Sequence, residues 1–317
     1  MASNLIPQII KPRRLPPNGT IGIVSPASPM EPEKLQKGIG YLEKLGYRVE
    51  VGNAVFKRDG YLAGSDEDRI ADIEEMFIRK DIDAIFCSRG GYGTPRLLPK
   101  MNYELIRQNP KIFVGYSDLT ALQMAIFWKT GLVTFSGPMV AVEFASGIDA
   151  QTEENFWRLI CEANPYGKMP PLAGKYKVHS GGENSGRILA GCLSVLAGIA
   201  GTQYFPFSYD CVLLLEDIGE KPYRIDHYLA QLKNAGLLKA PAGVLAGQFS
   251  DCVSEEGKPS WSIEEIFEDY FGETGYPAIA GFDYGHQDVK HTIPIGIRVK
   301  LATDPVEIEV LENAVTL

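Results

Sequence analysis

The sequence predicts an α/β protein in two parts: a flavodoxin- or Rossmann-like parallel-sheet domain over residues 1–148 and a smaller β-rich, barrel-like domain over 187–317, joined by a linker or hinge over 149–186. Three observations carry this reading. In the first half, short β-branched runs alternate with helical stretches, the pattern of parallel strands joined by right-handed crossovers. That pattern dissolves between about 146 and 187, where "EANPYGKMPPLAGKYKVHSGGENSG" is rich in Pro, Gly and polar residues. Near the C-terminus, "IPIGIRVKLAT" and "VEIEVLE" alternate apolar and polar residues, as half-buried antiparallel strands do.

The elements follow in order. "TIGIVSPAS" (20–28) is a strand breaking into turn residues. "PEKLQKGIGYLEKLG" (32–46) sets Leu35, Ile39, Leu42 and Leu45 at helical spacing, and Gly46 stands where a helix end favours positive φ. "YRVEVG" is the next strand. Ser65 can cap a helix whose apolar stripe is Ile70, Ile73 and Phe77. "IDAIFCSRGGYG" (82–93) is a buried strand breaking into glycines; "KIFVGYSD", "LTALQMAIFWKTG" and "LVTFSGP" then read as strand, helix and strand. Beyond the linker, "GCLSVLAGIAG" is a packed helix and "CVLLLEDIGE" (211–220) a buried strand ending in acidic residues. "RIDHYLAQLKNAGLL" carries Ile225, Leu229, Leu232 and Leu237 as a helical stripe, and "GVLAGQFSD" and "AIAGFDYGH" return to strand. There is no internal repeat.

Composition narrows the function classes. A formal charge of -9 and a pI near 5.1 oppose a nucleic-acid or anionic-membrane partner, since phosphate binding needs concentrated Lys and Arg. The one basic cluster, Lys11, Arg13 and Arg14, lies in a proline-rich leader and reads as a solvated tail. The five scattered cysteines form no CxxC, so neither a disulfide framework nor a zinc knuckle is expected. "MASNLIPQIIKPRRLPPNGT" lacks a signal-peptide apolar core, and no apolar run is long enough to span a bilayer. A cytoplasmic protein without membrane attachment is expected.

In an open α/β sheet, ligands gather beyond the carboxyl ends of the strands. Four such ends are chemically suggestive. Arg89-Gly90-Gly91-Tyr92-Gly93 is either an ordinary tight turn or an anion cradle of bare N–H groups; it matches neither the P-loop nor the dinucleotide fingerprint. Gly115-Tyr116-Ser117-Asp118-Leu119 is a partial nucleophile elbow, with the first glycine of G-x-S-x-G present and the second absent. Ser117 is accordingly a helix cap or a nucleophile. A serine needs a base. Of the four histidines, His179 falls in the polar linker, where a surface position is expected, and His227 flanks a helical stripe. His291 makes an H-x₄-H pair with His286 but has no third metal ligand nearby. His286, just after Gly285 at a strand end, is the best-placed base. Glu216 at the end of "VLLLE" is either a solvated strand end, with its carboxylate at the edge of the core, or the carboxylate that orients the imidazole.

With those residues named, the chain resembles the LD-carboxypeptidases of serine peptidase family S66 and the related microcin C immunity peptidases. The segments that carry the resemblance are "IGIVSPASP", "AIFCSRGGYGTPRLL", "FVGYSDLTALQ", "LAGCLSVLAGIAGT", "LLLEDIGEKPYRIDHYLAQL" and "GFDYGHQDVKHTIPIG". The resemblance implies a catalytic triad of Ser117, Glu216 and His286, and oxyanion donors at the backbone N–H groups of Gly91 and Asp118. It implies a cytoplasmic homodimer that needs no metal or organic cofactor and releases the terminal D-alanine from a murein tetrapeptide. Arg89, beside the glycine turn, is then a candidate for holding the substrate's terminal carboxylate. "EDIGEKPYRIDHYLAQL" favours the carboxypeptidase branch. In the immunity branch a loop aromatic stacks a nucleobase; Trp261, Phe267, Tyr270 and Phe271 are available for that, although helix packing in "IEEIFEDYF" accounts for them more simply. A non-catalytic α/β anion-binding protein is the reading from outside the enzyme classes.

Overall fold

The structure is a computed structural model and describes residues 7–205 and 210–317; the first six residues of the leader lie outside the described residues. In the first half, strands β1 (Thr20–Val24), β2 (Arg48–Val51), β3 (Ala84–Cys87), β4 (Ile112–Val114) and β5 (Thr134–Ser136) run parallel in the order β5-β4-β3-β1-β2. Helices α1 (Pro32–Lys44), α2 (Asp66–Ile78), α3 (Tyr103–Gln108) and α4 (Leu119–Thr130) supply the crossovers. Ser65 caps α2 as expected, accepting from Asp68 N while the Asp68 carboxylate accepts from Ser65 N. Helix α4 has no polar face: Leu119, Ala121, Leu122, Met124, Ala125, Ile126 and Phe127 are all buried, because it lies between its own sheet and the second half of the chain.

Helix α5 (Glu143–Ser146) leads into the segment expected to be a linker. Residues 149–186 are more ordered than that. Asp149 caps α6 (Ala150–Cys161), whose Phe156, Leu159 and Ile160 join the core, and β6 (Gly167–Lys168), β7 (Lys177–Ser180) and the start of β8 (Glu183–Cys192) follow. The Pro/Gly density that suggested a loop falls between these elements, and the short stripe of α6 supplies apolar area enough to fold it.

The second half adds α7 (Leu193–Ile199), β9 (Cys211–Ile218), α8 (Pro222–Asn234), β10 (Gly243–Ser250), α9 (Ile263–Phe271), β11 (Ala278–Ala280), β12 (Ile293–Ile295), β13 (Arg298–Thr303) and β14 (Val306–Val310). Its eight-stranded sheet has the order β6-β14-β13-β8-β9-β10-β11-β7. The centre, β8 to β11, is parallel, whereas β13 and β14 pair antiparallel as their alternation predicts. The runs "VLLL" and "GVLAG" are apolar on both faces because helices cover them. Strand β12 returns to the first sheet and pairs antiparallel with β5, so the two halves are stitched together. The leader is stitched as well: Arg13 bridges to Thr316, and Lys11 pairs with Glu312 at 2.7 Å. The solvated tail expected there is a docked segment, with Leu15 fully buried.

Candidate active site

Strand β4 ends at Val114 and α4 starts at Leu119, which leaves four residues to reverse direction. Ser117 takes φ 66°, a left-handed conformation rare and strained for a non-glycine residue. The missing second glycine of the elbow has a packing explanation. Leu119 lies over the bare face of Gly115, where an added Cβ would stand 3.0 Å from Leu119 Cγ; the first glycine makes the room that lets a leucine occupy the later position.

Ser117 Oγ lies 3.0 Å from His286 Nε2, and His286 Nδ1 lies 2.8 Å from Glu216 Oε2. The two halves of the chain thus meet in one continuous hydrogen-bonded relay. How His286 reaches Glu216 across an intervening strand is visible in the sheet. Strand β10 bulges between Ala246 and Phe249, opposite Glu216 on β9, and the segment after β11 settles into the bulge through Phe282 N to Ala246 O and Gln248 N to Tyr284 O. Gly285 (φ 123°) then passes the carboxylate so closely that a Cβ would stand 2.8 Å from Glu216 Oε2. Ser250 Oγ donates to His286 O at 3.0 Å and fixes the loop.

Glu216 differs from expectation in one respect. Strand β9 runs on to Ile218, so Glu216 sits within it and is 1% exposed rather than at a solvated edge. Its Oε1 has no hydrogen-bond partner among the described residues. A buried carboxylate with a single partner directs its charge into that contact.

The glycine turn packs on the serine: a Cβ at Gly90 would meet Ser117 Cβ at 2.8 Å. Ser28 Oγ accepts from Tyr92 N, and the fully buried Arg69 donates to the Pro26 and Gly93 carbonyls, so the turn is held from both sides. The N–H groups of Gly91 and Asp118 donate to no described residue. Sequence reasoning gave the Asp118 side chain no role; its buried carboxylate accepts from Thr94 N at 2.8 Å and ties the turn to the elbow, and burial pushes its acidity down by raising its pKa.

Arg89 is exposed and donates to Pro29 O at 3.4 Å. It lines a cavity of about 250 Å³ with Glu31, Lys34, Val142 and Ser146. A second cavity of about 240 Å³ shares Val142 and Ser146 and is bounded by Tyr116, Glu143, His286 and Lys290. The remaining histidines are accounted for. His291 is buried, its pKa lowered by burial, with Nε2 2.9 Å from Pro170 O. His179, expected at the surface, is on β7 with a buried imidazole 2.8 Å from Glu268. His227 is exposed on α8. No cluster among the described residues has the makings of a metal site. Of the aromatics at 261–271, Phe267 and Phe271 pack in the core and the Tyr270 hydroxyl donates to Asp226, but Trp261 is 59% exposed. It stands outside α9, on a groove of about 580 Å³ shared with Tyr223, Lys221 and Lys258.

A serine on a strained strand-to-helix turn, bonded to an imidazole that is bonded in turn to a buried carboxylate, is the equipment of a serine hydrolase. The chain matches the family model for the LD-carboxypeptidase N-terminal domain over residues 21–137 and that for the LD-carboxypeptidase C-terminal domain over 185–301. It belongs to that family and is a hydrolase of the serine carboxypeptidase type. The probable murein peptide carboxypeptidase of Bacillus subtilis strain 168 is 38% identical over 305 residues, covering 92% of each chain. The microcin C7 self-immunity protein MccF of Escherichia coli is 28% identical and covers 93% of each. The crystal structure of muramoyltetrapeptide carboxypeptidase from Oxalobacter formigenes superposes with a TM-score of 0.79 at 30% identity, covering 92% of this chain and 97% of that one.

Proposed function

We propose that this protein is an LD-carboxypeptidase that releases the C-terminal D-alanine from a murein tetrapeptide. The observation that supports the reading is the relay from Ser117 through His286 to Glu216, assembled from both halves of a member of that family. In the proposed mechanism Ser117 Oγ attacks the carbonyl of the L-to-D peptide bond while His286 Nε2 takes the hydroxyl proton. The same nitrogen returns the proton to the departing amine of D-alanine, leaving an acyl ester on Ser117. Water, deprotonated by His286, then releases the tripeptide acid. Glu216 keeps the His286 Nδ1–H directed at itself, so that Nε2 faces the serine with its lone pair. The developing oxyanion is assigned to the N–H groups of Gly91 and Asp118, the latter at the positive end of α4. Arg89 is assigned to the terminal carboxylate, at the cavity beside the turn. The proposal includes action on cytoplasmic recycling peptides and assembly as a homodimer; among the described residues no helix is long and apolar enough to cross a membrane.

The exposed Trp261 favours a second substrate, an aminoacyl-nucleotide amide handled by the same relay, since an unburied indole on an open groove is free to stack a base. Incubating the protein with a murein tetrapeptide and with an aminoacyl sulfamoyl nucleotide separates the two. D-Alanine release at much the higher kcat/KM supports the carboxypeptidase reading; preferential nucleotide cleavage overturns it.

A further inference from the structure

Beside the relay lies a buried ion pair that the mechanism above does not use. Lys290 Nζ bonds Glu143 Oε1 at 2.5 Å, with side-chain exposures of 5% and 10%. Glu143 Oε1 also accepts from the Tyr116 hydroxyl at 2.8 Å, and Oε2 accepts from Met139 N at 2.9 Å. The ammonium sits 4.1 Å from the centre of the Tyr116 ring, and the His286 ring lies 5.0 Å from it between centroids. Lys290 N donates to Thr152 Oγ1, which in turn donates to Asp288 O, so the loop carrying His286 is anchored on α6 as well.

Two buried charges cost several kcal/mol to desolvate, and well-packed neutral replacements are often no less stable. Stability alone therefore gives little reason for this pair. Its geometry supplies one. Tyr116 is the residue before the nucleophile, Lys290 lies four residues after His286, and Glu143 belongs to neither segment yet bonds to both. The hydrogen bonds of the relay hold the two ring nitrogens; the buried Tyr116 ring adds a tilted contact with the imidazole, 59° between planes, and Lys290 and Glu143 hold that tyrosine at its ring face and its hydroxyl.

We propose that Lys290 is a positioning residue for the reaction: paired with Glu143 and stacked on Tyr116, it locks the His286 imidazole against Ser117. The proposal rests on the roles assigned to Ser117, His286 and Glu216 above. It is distinct from substrate binding, because Glu143 already neutralises the ammonium that faces the cavity.

Lys290→Met alone strands a buried carboxylate and can compromise folding, so the decisive protein is the double variant Lys290→Met, Glu143→Gln, in which no buried charge is left unpaired. Its melting temperature, its kcat and KM for D-alanine release, and the rate at which a fluorophosphonate probe labels Ser117, read by mass spectrometry, are compared with wild type. The expected result is a folded protein whose kcat and labelling rate both fall by about 10- to 100-fold while KM stays within about twofold. Wild-type rates in the folded double variant overturn the proposal, as does a rise in KM with kcat unchanged, which makes Lys290 a binding residue. Should the double variant fail to fold, Tyr116→Phe, which loses only the bond to Glu143, must show the same fall in labelling or the proposal is overturned. Wild-type protein that the probe leaves unlabelled at Ser117 overturns the nucleophile assignment itself.

Discussion

Replacing Glu216 with glutamine keeps the shape of the side chain and removes its charge. Two orientations of the new amide are available. If its NH₂ faces His286 Nδ1, two donors oppose one another until the imidazole moves its proton to Nε2, and Nε2 then cannot accept from Ser117. If its oxygen faces Nδ1, the NH₂ occupies the place of Oε1, which has no partner among the described residues, and a buried unsatisfied donor costs about 1–3 kcal/mol. In either orientation the imidazolium formed in the transition state loses a carboxylate. For charge centres about 4 Å apart at an effective dielectric constant of about 20, that is worth about 4 kcal/mol, or roughly a thousandfold in rate. The assay is initial-rate D-alanine release at saturating tetrapeptide, with circular dichroism to show that the variant is folded. A folded Glu216→Gln protein that keeps more than about a tenth of wild-type kcat refutes the role given to this carboxylate.

Other outcomes follow from the same geometry. Gly285→Ala must place a Cβ 2.8 Å from Glu216 Oε2 at φ 123°, so it should lose about 1–3 kcal/mol of stability and about a hundredfold in kcat, measured by urea melts and D-alanine release; near-normal kcat contradicts the close passage. The Arg96 guanidinium, and after it Lys100, hold the Asp66 carboxyl down to about 2. A carboxyl lowered on folding stabilises above its unfolded value near 4, and that stability is lost as pH falls from about 4 to 2; since Arg96 and Lys100 are partly exposed, while the third partner, Arg69, is buried, about 1–2 kcal/mol is expected, absent in Asp66→Asn, when the two proteins are melted across that range. Burial pushes the Lys111 ammonium, which donates to the Met76 and Arg79 carbonyls at the end of α2, down to about 8. The unfolded chain binds this proton more tightly, so wild type should gain up to about 3 kcal/mol relative to Lys111→Met between pH 8 and 10.5, and a pH-independent difference contradicts the burial argument.

Ser117 and His286 were legible because each sits where an apolar run breaks, and such breaks put side chains at the carboxyl ends of strands. Glu216 was legible as a candidate, but its burial was not: "VLLLED" does not show that the strand continues to Ile218 or that β10 bulges opposite it. The ion pair of Glu143 with Lys290 left no local signal, since its members are 147 positions apart and neither lies in a motif with a mechanism of its own. Arg69 was hidden in a related way: beside its local pair with Asp66 on α2, it donates to backbone carbonyls of distant loops, which no local pattern signals. The helix at 150–161 was missed because its stripe is short and the Pro/Gly-rich stretch after it dominated the window. Pairing of β12 with β5 was illegible in principle, for nothing in "IPI" distinguishes the sheet it joins. Local periodicity reports which face of an element is buried; it does not report against what.

The most direct test is D-alanine release from a murein tetrapeptide by wild-type and Ser117→Ala protein at equal concentration. Wild type should release the terminal D-alanine and pass through a Ser117 acyl ester that rapid quenching and mass spectrometry detect. Ser117→Ala, folded to the same melting temperature, should lose at least about a thousandfold in rate and form no ester. Release by Ser117→Ala at a rate near that of wild type contradicts the assignment of the nucleophile and with it the relay from Ser117 to Glu216.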